Sequence, residues 1–289
     1  MNYLNERDFC DSGIPPVALL IPILLAQVFG VTDPALIEKV TIANLNLDHF
    51  SHLVDDTADS PSSNSPIRSH LSHLLLSRAT ASLLSLSSHP ATFSQWFDRY
   101  LLEATMGEQA LWSHHKVANE YTQQDYDSLA HRGGLIKASA AIYADLTDRW
   151  QILDSVERGL CAASIGIQLI DDVMDWQDDL HQGIYTQPLV AAFQIVGVET
   201  ALRNPSTVNQ AIVRDGAADA VIRLAAKYFD DASRYFERVK ADSLKMTTVE
   251  FSNELRDLLL ILAKTRKDTA VIPDFRTMLQ KKLVIRMQH

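Results

Sequence analysis

Along almost the whole chain, apolar residues recur at helical spacing, and period-2 alternation bounded by Asn-Gly or Asp-Gly turns is missing. That pattern restricts the fold to the all-α class. Asp33-Pro34 reads as an N-cap followed by proline at the first helical position, opening a helix that runs to about Asp59. The following Ser60-Pro61-Ser62-Ser63-Asn64-Ser65-Pro66 reads as a loop. Further helices are predicted over Val17–Val31, Ile67–Ser87, Thr92–His115, Gly134–Asp148, Gln151–Leu180, Thr186–Val196, Ala217–Ala241 and Thr247–Lys267, with a tail from Pro273. Gly133-Gly134 and Asn204-Pro205-Ser206 are the clearest breaks. No fixed-period repeat occurs, which argues against a solenoid.

With 289 residues, 47% of them hydrophobic, the chain can bury a large core. One domain over residues 1–289 is expected, because the acidic clusters described next lie far apart and must converge. The net charge of -10 disfavours nucleic-acid and anionic-membrane surfaces, so an anionic ligand has to arrive with cations. Only Cys10 and Cys161 occur, which fits a reducing cytoplasm. The most apolar stretch, Val17–Val31, is shorter than the roughly 20 residues of a bilayer span and contains Pro22 and Gln27. Its leader MNYLNERDF has acidic residues and no basic n-region, so a soluble, untargeted protein is expected.

Two acidic clusters carry the functional signal: Asp55-Asp56-Thr57-Ala58-Asp59 and Asp171-Asp172-Val173-Met174-Asp175, both DDxxD. On a helix, Asp55 and Asp59 share a face with Asp56 beside them, and Asp171, Asp175 and Asp179 form a longer stripe flanked by Asp172. Like charges at i,i+4 repel by a few tenths of a kcal/mol per pair, so something must compensate. Mg²⁺ does so naturally, taking one or two carboxylates per ion and completing its shell with water and phosphate oxygens. A lone DDxxD is more often a solvated helix end. Here each cluster follows an apolar helical run, Thr41–Val54 and Leu160–Ile170, which puts both acidic turns at the rim of a core. Facing each other, they would form a metal site at the mouth of an apolar cavity, with a diphosphate as ligand.

At these residues the chain resembles the trans-polyprenyl diphosphate synthase branch of the class I isoprenoid synthases. His49-Phe50-Ser51-His52-Leu53-Val54 looks like the lead-in to that family's first aspartate motif, and Met106-Gly107-Glu108-Gln109-Ala110 resembles its Gly-Gln helix. His131-Arg132-Gly133-Gly134-Leu135-Ile136 resembles its Lys-Thr-Gly-x-Leu-Ile turn, and Gly166-Ile167-Gln168 precedes the second motif as the family's Gly-x-Phe-Gln does. The resemblance implies a helical bundle around a central apolar cavity, a homodimer, and a prenyl diphosphate substrate of geranyl to geranylgeranyl length. It also implies a cluster of about three Mg²⁺ ions held by Asp55, Asp56, Asp59, Asp171, Asp172 and Asp175. By the same resemblance Asp55, Asp59, Asp171 and Gln168 would serve catalysis, Gln168 at the reacting diphosphate end. Gln109 would belong to the substrate site, and Phe50, five residues before the first aspartate, would gate chain length; a buried Phe there is otherwise core.

The departures are equally specific. The family's N-terminal Gly-Lys-x-x-Arg, which holds isopentenyl diphosphate, falls at Gly13-Ile14-Pro15-Pro16-Val17-Ala18, with no basic residue. The arginine pair after the first motif is missing, the turn lysine aligns with His131, and the lysine after the second motif falls near Gly183-Ile184. Arg68, Arg132 and Lys137 remain as substitutes for these diphosphate-binding cations. The expectation is a terpene synthase-like enzyme that ionises one diphosphate; the alternatives are a prenyltransferase to an acceptor without diphosphate, ordinary chain elongation, and a non-catalytic synthase subunit. His114-His115 reads first as a solvated or capping pair and second as a base or cation-stabilising site beside Trp112, and Trp96, Phe97, Tyr100 and Trp112 read first as core and second as cavity lining.

Overall fold

The computed structural model describes residues 17–59 and 66–268. Among these the chain is all helix, with no strand. The helices are α1 (Val17–Phe29), α2 (Pro34–Asp59), α3 (Pro66–Leu86), α4 (Pro90–His114), α5 (Gln123–Arg132), α6 (Lys137–Thr147), α7 (Leu153–Gln182), α8 (Gln187–Val196), α9 (Val198–Arg203), α10 (Pro205–Val213), α11 (Ala217–Arg238) and α12 (Asp242–Asp268). Short 3-10 turns, Gly134–Ile136 and Trp150–Ile152, lead into α6 and α7.

Proline opens α2, α3, α4 and α10, where its missing N–H is one the helix would leave unpaired anyway. Asp33 Oδ1 accepts from Ala35 N at 3.0 Å, which is the cap expected for α2. The Ser60–Ser65 loop, the tail from Pro273 and the Gly13–Pro16 segment lie outside the described residues. Three short helices, α5, α9 and α10, were not legible as helical stretches. The start of α5 nevertheless carries a local signal: Asp125 Oδ2 accepts from both Thr122 N and Thr122 Oγ, each at 2.7 Å.

Long helix α7 runs through the middle, packed against α11 on one side, with α12 beyond it; α2 pairs with α3, and α4 with α5. One buried cluster, including Leu25, Phe29, Leu47, Tyr143 and Phe236, joins α1–α4, α6, the first half of α7, the end of α11 and the start of α12. A second, including Leu129, Leu169, Val173, Phe193 and Phe229, joins α5, the second half of α7 and α8–α12. Ala163 and Tyr228 pack against both, so the apolar interior is continuous along α7. No helix among the described residues is long and apolar enough to cross a membrane.

Candidate active site

Helix α7 builds the site because two side-chain stripes run along it at spacings of three and four. Ile165, Leu169, Val173 and Trp176 are buried in the second core cluster. Gln168, Asp171, Asp172, Asp175, Asp178 and Asp179 face a cavity of about 610 Å³. Gly166 lets the helix close on α11, since a Cβ there would stand 2.9 Å from the Phe229 ring. The acidic end is then fixed by a left-handed Gly183, with Ile184 N donating to Asp179 O at 2.8 Å and Thr186 Oγ to Asp179 Oδ2 at 2.8 Å. On the opposite wall Gly107 brings α4 against α5, its missing Cβ leaving room for Ser128 O at 2.8 Å. That approach places Glu108 Oε1 2.6 Å from Arg132 Nε beside the cavity.

Val54 of α2 lines the same cavity, so the backbone of the first aspartate cluster arrives at its rim. Asp55, Asp56 and Asp59 continue α2 as helix, and their side chains lie outside the described part. Among the described residues no three His, Cys, Asp or Glu side chains are gathered tightly enough to hold an ion. The donors present do fit a hard cation. Asp172 is buried, its Oδ1 accepts from Gln168 Nε2 at 3.0 Å, and its Oδ2 has no hydrogen-bond partner. Burial, reinforced by Asp179 and Asp171 against the Gln168 hydrogen bond, pushes the Asp172 carboxyl up to about 8. A divalent ion beside Oδ2 would supply the missing partner and return the group to its ionised form.

The structure brings Gln109, Arg132, Gln168, Asp171, Asp172 and Asp175 to one cavity. Lys137 is elsewhere. It is 3% exposed, ion-paired to Glu103 and 5.0 Å from the Tyr100 ring centroid, and it does not line the acidic cavity. Arg68, in the first turn of α3, is not among the residues lining the cavity. Phe50 packs against the first core cluster, while Asn44, Leu47, Asp48 and Ser51 form the stripe of α2 that faces a second cavity. Those positions recur at i, i+3, i+4 and i+7, and Phe50 falls off their face. Replacing Phe50 with alanine is therefore expected to lower stability, by up to about 3 kcal/mol for a partly buried aromatic, and to leave substrate length preference unchanged. Urea midpoints and turnover of geranyl, farnesyl and geranylgeranyl diphosphate check both halves.

Sequence reasoning missed Lys116, which lines the cavity with its Nζ 4.3 Å from the Trp112 ring centroid. The available signal was its position one turn after Trp112, just past the helix that carries Gln109. Trp112 is the aromatic at the cavity; Trp96 stacks on Trp150 at 5.7 Å and Phe97 and Tyr100 are core. His115 is the C-cap of α4, its N–H donating to Leu111 O at 2.8 Å, and both rings are partnered rather than solvated. His114 Nδ1 lies 3.2 Å from Asp125 Oδ1, its ring meets Tyr121 edge-on at 4.4 Å, and His115 Nε2 lies 2.8 Å from Tyr121 Oη. Burial, then the positive charge of Arg132, lowers His115 from 6.5 to about 4, so it is neutral at pH 7.

This depressed value gives a pH signature. Between pH 6.5 and about 4 the unfolded chain takes up the proton that folded His115 refuses, so His115 makes stability fall on acidification across that window. His115→Gln is expected to flatten this part of the profile of urea midpoint against pH; an unchanged slope would show that His115 is not its source.

The helical arrangement is the isoprenoid synthase fold. Over 86% of this chain and 89% of its own, a geranylgeranyl pyrophosphate synthetase from the archaeon Geoglobus acetivorans superposes with a TM-score of 0.71 at 21% identity. The heptaprenyl diphosphate synthase of Staphylococcus aureus gives 0.67 at 15% identity, covering 84% of this chain and 88% of its own. The octaprenyl pyrophosphate synthase of Helicobacter pylori gives 0.62 at 16%, covering 87% and 92%. No protein-family model and no curated relative matches the sequence.

Proposed function

We propose that this chain is a divalent-metal-dependent class I isoprenoid enzyme that binds a prenyl diphosphate in the acidic cavity and ionises its carbon–oxygen bond. The observation that carries the reading is the meeting of five α7 carboxylates with Arg132, Lys116 and Gln168 around one 610 Å³ space, with a carboxylate oxygen of Asp172 buried and unpartnered. When bound, Mg²⁺ would neutralise the diphosphate and make it a better leaving group, with Asp171, Asp172 and Asp175 and the first-cluster aspartates Asp55, Asp56 and Asp59 as its holders. Arg132 and Lys116 supply direct charge to phosphate oxygens. Gln168, held by Asp172, presents its amide at the reacting end, and Trp112 offers an aromatic face to developing positive charge.

Cyclisation or elimination of the resulting cation is the leading outcome, in keeping with the absence of a lysine and arginine at Gly13–Ala18, a segment that lies mostly outside the described residues. Transfer to an acceptor without diphosphate is the second reading, in keeping with Asn44, Asp48 and Ser51 of α2 lining the adjoining smaller cavity. Leu102 and Met106, exposed one turn apart on α4, give an apolar strip for a second copy of the chain and support the homodimer. The deciding assay follows diphosphate release from geranyl, farnesyl and geranylgeranyl diphosphate with Mg²⁺, with excess chelator, and with radiolabelled isopentenyl diphosphate. Release is expected to vanish with chelator, and label is not expected to enter a longer prenyl diphosphate. Chelator-resistant release would remove the metal site; efficient label incorporation would make the protein a chain-elongating synthase.

A further inference from the structure

His115, at the end of α4, lines the acidic cavity, and the proposed reaction leaves it unused. Its backbone is pinned from both sides: its N–H donates to Leu111 O at 2.8 Å, and its carbonyl accepts at 2.9 Å from Tyr185 N, in the turn between α7 and α8. The ring is fixed as well, because Nε2 lies 2.8 Å from Tyr121 Oη. Nδ1 has no hydrogen-bond partner among the described residues, and it is not one of the buried atoms cut off from water. Since His115 lines the cavity, Nδ1 is the nitrogen left for a ligand there.

The Tyr121 contact decides which nitrogen holds the proton. Burial, then the nearby charges of Asp172 and Asp125, push the Tyr121 phenol well above its ordinary value, so it keeps its hydrogen. That O–H has no acceptor but Nε2 among the described residues, and a phenol is the stronger donor while an imidazole nitrogen is the stronger acceptor. Tyr121 therefore donates to Nε2, and neutral His115 carries its one proton on Nδ1. An N–H at a cavity wall answers to an anion, not to a carbocation, and Arg132 and Lys116 line the same space. We propose that His115 is a neutral hydrogen-bond donor to the diphosphate: its Nδ1–H meets a phosphate oxygen, and Tyr121 is the positioning residue that keeps the proton on that nitrogen. This rests on the reading that the cavity binds a prenyl diphosphate. As the prenyl C–O bond breaks, its electron pair leaves on diphosphate, and the hydrogen bond strengthens with the growing charge while the proton stays on His115.

The test labels the histidines of the full-length protein isotopically and reads the His115 tautomer by nitrogen NMR, with His115→Gln assigning the signal. The wild type is expected to hold its proton on Nδ1, and adding Mg²⁺ with inorganic diphosphate should shift that N–H. Tyr121→Phe should let the proton move in part to Nε2. In kinetics, His115→Phe should lower kcat for diphosphate release from geranyl, farnesyl or geranylgeranyl diphosphate, and weaken inhibition by inorganic diphosphate, each about tenfold or more. His115→Asn should recover most of both losses and His115→Gln much less, because an asparagine amide N–H overlies Nδ1 and a glutamine amide N–H overlies Nε2. A wild-type proton on Nε2 would overturn the proposal even if no variant folded. So would His115→Phe matching the wild type, or His115→Gln recovering better than His115→Asn; either result, with release intact, leaves the prenyl diphosphate reading standing. A wild type that neither releases diphosphate nor binds inorganic diphosphate with Mg²⁺ would overturn that underlying reading, and the donor with it.

Discussion

Replacing Asp171 or Asp175 with alanine is expected to reduce metal-dependent diphosphate release at least about a hundredfold while the protein stays folded. Asp171 is exposed and Asp175 half-buried at the cavity wall, so neither substitution opens a hole in the core. Removing either also relieves like-charge repulsion along α7, which is worth only a few tenths of a kcal/mol per i,i+4 pair. The thermal midpoint should therefore hold or rise slightly. Catalysis should respond very differently, because a metal ligand supports charge on the leaving diphosphate, and each lost 1.4 kcal/mol or so of transition-state stabilisation is tenfold in rate. Release kinetics at saturating Mg²⁺, with circular dichroism melts of the same preparations, separate the two. Unchanged turnover in a folded Asp171→Ala would return the cluster to a solvated acidic helix end, whereas a melted variant would make it structural.

Glu103→Ala is expected to be the most damaging substitution away from the cavity, costing about 3–5 kcal/mol of stability. Lys137 is almost fully buried at the start of α6, and Glu103 of α4 is the carboxylate it meets. The same network continues through Arg99, whose Nε lies 3.5 Å from Glu103 and whose Nη2 lies 2.6 Å from Glu157, and Tyr100 also donates to Glu157. Truncating Glu103 leaves the buried Lys137 ammonium beside the first core cluster without its carboxylate partner. Exchanging Lys137 for methionine removes the charge along with its need for a partner, so Lys137→Met should cost less. Urea unfolding of both variants checks the order. If Lys137→Met proved the worse in activity while unaltered in stability, the lysine would serve the substrate instead of the fold.

That outcome bears on how the cations could be read. Arg132 and Lys137 were equal candidates from spacing, because both sit near the Gly133-Gly134 turn and both carry the right charge. Five residues decide their fates. Arg132 ends α5 and reaches the cavity next to Glu108, whereas Lys137 begins α6 after a 3-10 turn that points it inward to Glu103. A turn's direction is set by what it packs against, and no local pattern reports it. Phe50 poses a related problem: a position counted back from a motif fixes distance along α2 but not which neighbour the helix face meets, here the first core cluster.

What the sequence by itself determined is what local periodicity can carry: the all-helical class, the run of α2 from Pro34 to Asp59, and the acidic stripe of α7. These depend on contacts within a few residues, where the 3.6-residue repeat leaves few alternatives. The tertiary structure alone decided which charges share a cavity. Lys116, His115 and Arg132 come from two helix ends separated in sequence, and they meet Asp171–Asp179 only because α4 and α5 close on one side of α7 and α11 on the other. It also decided that Asn44, Asp48 and Ser51 face a second space beside the first. The free energy of such a site lies in burial and in the distances between charges, and both are properties of elements brought together across the chain.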